Sequence, residues 1–152
     1  MAGSKNHVER SFRILFDDAA AAAKDLSGDL VPGSVSGGGF TFDEVDVTGV
    51  SNAVYNFLKG RPTSEISANF HMNDTAITGA TTVLNGHDTG AGTGTLTLQF
   101  GQNGAAPTAG DPEWEGEYVL LKNVIALDGN KFVHQCTFKP TGSVAPAWGV
   151  YS

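Results

Sequence analysis

The sequence predicts a mainly β domain, an antiparallel sandwich or barrel-like sheet with one flanking helix and long glycine-rich loops. Two observations carry this. Short segments alternate apolar and polar residues with period two, the mark of half-buried antiparallel strands. Between them lie stretches rich in the chain's 20 glycines. At 152 residues the chain suits one domain, 1–152, with a core of its own.

In "VERSFRILF", Val8, Phe12, Ile14 and Phe16 share one face, with Arg10 as the exception, against Glu9, Ser11 and Arg13. Residues 1–7 read as a flexible arm. "DDAAAAAKDL" (17–26) is alanine-rich but short for an independent helix, and a loop or hairpin excursion fits as well. The acidic run 40–48 reads as a strand. "SNAVYNFLKG" reads as a short helical turn ending at Gly60, ahead of Pro62. In "SEISANFHM", Ile66, Ala68, Phe70 and Met72 are expected inside.

Helix-like spacing is confined to 74–86, with Asn73 and Asp74 as caps and Ile77, Ala80, Val83 and Leu84 on one face. Gly79 and the threonines lower its propensity, so packing has to support it. "TLTLQF" sets Leu96, Leu98 and Phe100 against Thr95, Thr97 and Gln99. "EYVLLKNVIAL" is apolar on both faces, which suits a central strand or one against a neighbouring subunit. "LDGNK" reads as a hairpin turn leading to the alternating "NKFVHQCTF". Glycine-rich 31–39, 86–94 and 101–112 read as flexible.

The formal charge of −7, from nine basic and sixteen acidic residues, argues against gripping nucleic acid through its phosphates. Acidic walls repel a polyanion, and that repulsion can itself be useful. A single cysteine, Cys136, excludes an intramolecular disulfide and suits a reducing cytoplasm. "MAGSKNHVERSF" has no apolar leader segment, and no apolar run approaches membrane-span length.

No catalytic constellation is visible. His7, His71, His87 and His134 are not at metal-ligand spacing, and His71 and His134 fall on strands as packed or solvated residues. Asp43 points away from Glu44 and Asp46 on a strand, so a charged face is favoured over a site. "DPEWEGE" (111–117) lacks calcium-loop spacing and reads as a surface turn entering a strand. Cys136 reads as a buried thiol with no base beside it. Trp114 and Trp148 suit core or interface equally. Neither an enzyme nor a cofactor is expected.

One stretch carries a resemblance. "DEVDVTGVSNAVYNFLKGRPTSEISANFHMND" resembles the core of major tail tube proteins of long-tailed (siphovirus-like) bacteriophages, with Glu44, Asp46, Val47, Thr48, Ser51, Gly60, Ile66, Ser67, Phe70, Asn73 and Asp74 in the expected places. "GDPEWEGEYVLLKN" and "FKPTGSVAPAWG" are similar to the closing strands, less specifically. The resemblance implies a tail tube fold, six copies in a ring, and rings stacked into a tube through which phage DNA passes without specific binding. It implies tape measure and tail terminator or tip proteins as partners, and a place in the virion tail after assembly in the host cytoplasm.

On that basis strands 40–48 and 64–72 are expected to pair as neighbours in the channel wall, joined through Gly60. Asp43, Glu44, Asp46, Glu65 and Asn69 are candidates for the lumen or subunit contacts. Val35, Ser36, Gly37, Gly38 and Trp148 are candidates for ring stacking, with 17–39 as a stacking loop and 140–152 as a C-terminal segment. The alternatives are a trimeric capsid decoration protein and a carbohydrate-binding β-sandwich using Trp114.

Overall fold

A computed structural model describes residues 9–152, so the expected arm 1–7, His7 and Val8 lie outside the described residues. Ten strands, one short helix and two 3₁₀ turns make up the described chain. The strands are β1 (Phe12–Asp17), β2 (Ala23–Asp25), β3 (Ser36–Gly37), β4 (Thr41–Asp46) and β5 (Phe57–Thr63). After them come β6 (Ile66–His71), α1 (Ala80–Asn85), β7 (Thr93–Phe100), β8 (Pro112–Asp128), β9 (Lys131–Pro140) and β10 (Ala147–Val150).

The main sheet is antiparallel in the order β2-β1-β7-β8-β9-β6-β3, with β10 added on the first half of β8. It is curled. Strands three places apart in a flat sheet lie about 14 Å apart. Yet Phe16 on β1 meets Phe138 on β9 edge to face, with ring centroids 5.0 Å apart. Both ends of the sheet therefore drain into one core, with Ile14, Leu96, Leu98, Trp114, Tyr118, Ile66, Phe70 and Phe138 all buried. A barrel-like mainly β fold with one flanking helix is what the alternation foretold.

The core holds a buried polar chain. Trp114 Nε1–H donates to the Tyr118 hydroxyl at 2.8 Å, and that hydroxyl shares a second 2.8 Å bond with Ser64. Two amphipathic rings can thus sit in a dry interior with their polar tips satisfied.

The 17–26 excursion takes the hairpin form that the sequence left open beside a loop: Asp17 pairs with Ala23 and the Asp18 carboxylate accepts the Ala20 and Ala22 N–H groups. Other expectations need correction. Gly60 does not end a helical turn; it lies inside β5. Strand 40–48 pairs with β5, not with 64–72, which lies in the main sheet between β3 and β9. The connection through Gly60 is therefore itself a strand. The "LDGNK" turn is centred on Gly129–Asn130, because Asp128 pairs with Lys131.

Helix α1 begins at Ala80, later than the 74–86 spacing suggests. Ile77 is exposed, with φ +73°, instead of packing. The Asn73 side chain does not cap the helix; its oxygen accepts from Thr75 and its amide donates to Asp29, while its main-chain carbonyl accepts the Thr81 N–H. The Asp29 carboxylate, 51 residues away, accepts the Ala80 N–H at 3.0 Å and so supplies the missing N-terminal partner. Met72, expected inside, is exposed just past the end of β6. Segment 31–39 is less free than its glycines imply. Val31 N–H donates to Asn69 O, Ser34 bonds both, and Ser36–Gly37 pairs with β6.

Candidate assembly surfaces

Three surfaces outside the core gather groups suited to contacts between copies. The first is the outer face of the β1-β7-β8 region. Period two places Glu113, Glu115 and Glu117 on one face of β8, directly opposite Gln99, Thr97 and Thr95 of β7. Each carboxylate accepts from its partner, at 2.7 Å from Gln99 Nε2, 2.9 Å from Thr97 Oγ1 and 3.3 Å from Thr95 Oγ1. Arg13 on β1 reaches the oxygen of Gln99 at 3.5 Å and Asp25 at 3.6 Å. The result is an ordered carboxylate row on a strand face. Sequence reasoning took 111–117 for a turn entering a strand, although the alternation in "PEWEGEY" already pointed to the row.

The second surface is the β4–β5 ribbon, which forms a sheet of its own outside the main one. Its base is anchored where Phe40 packs edge to face on Trp114, with centroids 5.2 Å apart. Asp43, Glu44 and Asp46 are all exposed on it. Glu44 faces Lys59, whose ammonium also lies 4.5 Å over the Phe42 ring. Asp46 accepts from Thr48, and that bond holds its carboxyl below the ordinary value. A bulge sets Gly60 and Arg61 of β5 against the single Asp43, and a Cβ at Gly60 would meet Asp43 Cβ at 2.8 Å. The ribbon can be built at this point only with glycine.

The third surface surrounds Trp148. It lies exposed on β10 against the buried Trp114, 5.1 Å between centroids, and 5.9 Å from Phe100. Gly38 and Gly39 pass beside the same two indoles. Gly38 lies beside Trp114 and Gly39 beside Trp148. Val35 and Gly37 line a neighbouring groove of about 410 Å³ with Phe12, Leu30 and Phe100. Ser36 sits on the β3 edge. The two tryptophans divide, one to the core and one to the surface, so Trp114 offers no platform to a sugar.

Glu65 and Asn69 stand apart from the ribbon acids. Glu65 pairs with Lys139 at 3.5 Å on the exposed surface, and Asn69 lies opposite Gln135. His134 and Cys136 are buried strand residues, the thiol pushed up to about 12 chiefly by burial, with Asp88 adding to it. Among the described residues no group of three His, Cys, Asp or Glu side chains is placed to hold a metal ion. No helix of the described residues is long and apolar enough to cross a membrane.

No family model matches the chain, and no curated protein matches it. Among solved structures it is similar to a chain from the tail of an empty GTA particle, refined helically with C6 symmetry. The identity is 14%, the TM-score is 0.56, and the match covers 99% of this chain and 100% of the other. End to end, this chain shares its fold with a subunit of a six-fold symmetric particle tail.

Proposed function

We propose that the protein is a structural, non-enzymatic subunit of a phage-like tail tube. Six copies close a ring, rings stack, and DNA passes through the channel during ejection. The observation that carries this reading is the end-to-end fold match to a chain of a C6-symmetric particle tail. The place of action is the virion tail, after assembly in host cytoplasm, with tape measure and terminator or tip proteins at the two ends of the tube. A long-tailed, siphovirus-like particle is the finer form of the proposal.

The carboxylate row Glu113, Glu115 and Glu117 replaces the 40–48/64–72 pair as the proposed channel wall. It is hydrophilic and anionic, and the neighbouring cation Arg13 is engaged by Gln99 and Asp25. A phosphate backbone meets no free cation on such a face. Asp43, Glu44 and Asp46 become candidates for contacts between copies.

Negative-stain microscopy of the purified protein at high concentration tests the proposal. Rings or tubes with six-fold end views are expected. Discrete trimers that bind capsids and never form tubes would overturn it. Glu115→Lys is expected to leave assembly intact and to lower DNA delivery in reconstituted particles.

A further inference from the structure

The fold leaves two apolar ribbons of the chain uncovered. In β4–β5, Val45 lies opposite Leu58 and Asp46 opposite Phe57, and the three apolar residues are 44–58% exposed. A lone two-stranded ribbon is marginal in water, and its unpaired outer edges invite another strand. The second ribbon is the distal half of β8 with the start of β9. The pairing of β7 with β8 stops at Val119, and Leu120 N–H makes one further bond to Gly92 O. From Leu121 to Asp128, the main chain of β8 is bonded only to β9 among the described residues, while the Asn123 side chain reaches Asn85 and Asp88. Ile125 lies opposite His134 and Leu127 opposite Phe132, so the core-facing row runs on past α1 into solvent. Leu121, Ile125, Leu127 and Phe132 are all exposed there.

We infer that these surfaces are two halves of one contact, with the β4–β5 ribbon of one copy seated on the distal β8–β9 stretch of a second copy. The inference rests on the tail-subunit reading and deepens it, since cyclic assembly needs two different surfaces on each chain that fit one another. Six residues of β4 and seven of β5 would lie along a shorter open edge, Val124–Asp128, because Leu121 is bulged and Asn123 is tied to Asn85 and Asp88. Charge is complementary. The ribbon presents Asp43, Glu44 and Asp46 beside Lys59 and Arg61, a net −1, while the β8–β9 stretch carries Lys122 and Lys131 beside Asp128, a net +1. Main-chain bonds along an added strand would supply affinity and the apolar side chains the register. One contact of this kind covers both exposed ribbons at once.

Sedimentation velocity on two double variants tests it. Val45→Asp with Leu58→Asp blocks the ribbon, and Ile125→Asp with Leu127→Asp blocks the edge. All four residues are exposed, so wild-type melting curves are expected. Each variant alone should stay monomeric where the wild type assembles. Mixed one to one, they should give a dimer and stop there, because one partner lacks an edge and the other a ribbon. A mixture that stays monomeric overturns the inference, as does either variant assembling like wild type. If an aspartate variant melts early, serine at the same positions carries the same expectations. Wild type that assembles while the mixture fails refutes only this pairing. Wild type that is monomeric at every concentration refutes the tail-subunit reading with it.

Discussion

Thr81 Oγ1 lies 2.9 Å from His134 Nε2, one of two contacts that hold the buried imidazole. The other ring nitrogen, Nδ1, faces Asn123 Oδ1 at 2.9 Å, while the Asn123 amide is turned to Asn85 and Asp88. An amide oxygen only accepts, so Nδ1 bears the hydrogen and Nε2 takes the Thr81 hydroxyl proton. The hydroxyl oxygen in turn accepts from the Asn73 N–H at 3.0 Å. The imidazole is therefore neutral and joins α1, β8 and β9.

Burial holds the His134 pKa below its ordinary 6.5, with Asp88 pulling the other way. A depressed folded-state value means that the unfolded chain binds more protons in this window. The contribution is fully present above 6.5 and is lost as pH falls from there toward the folded value. Urea midpoints should therefore be lower at pH 5.5 than at pH 7.5, and His134→Gln should flatten that difference. An unchanged pH dependence in the variant would remove His134 from the account.

Asp29 binds both the Asn73 amide and the Ala80 N–H, so it tethers the start of α1 to the 3₁₀ turn at Ser27–Asp29. Asp29→Ala leaves two donors without an acceptor and should cost about 1–3 kcal/mol. Hydrogen exchange would show faster exchange at Ala80, and an unaffected Ala80 amide would count against the tether.

Tyr118→Phe keeps the ring and removes the hydroxyl between Trp114 Nε1 and Ser64. Trp114 is fully buried, so its N–H would have no acceptor. The loss should be about 1–3 kcal/mol in thermal or urea melts. A neutral result would show that water enters in place of the hydroxyl.

Ile77 is a β-branched residue at φ +73° with its side chain in solvent. Its burial gives little in return for that backbone strain. Ile77→Gly should therefore stabilise the fold by about 1 kcal/mol. A lowered melting temperature would mean that the exposed side chain contributes more than its backbone costs.

The strands of the curled sheet were legible because one dry face forces period two, as in Ile66, Ala68 and Phe70. The ribbon was not. Gly60 and Pro62 look like turn residues, yet β5 tolerates them because its outer edge has no ladder to lose. Pairing partners were equally hidden, since nothing local in 40–48 distinguishes β5 from β6 as its neighbour. The helix start was misplaced for the same reason: its N-terminal acceptor, Asp29, arrives from another part of the chain. The acids of 113–117 were visible as letters, but their row depends on three donors of β7 that only the register aligns.

The two indoles of Trp114 and Trp148, 5.1 Å apart and inclined at 65°, act as coupled oscillators. One is sealed in the interior and the other is wet, so the protein carries an exciton pair straddling its own surface. Circular dichroism should show a couplet from them that vanishes when β10 unclips from β8. Fluorescence should report separately on whatever comes to cover the outer ring. The chain thus has an optical gauge of its C-terminal clasp without any added label.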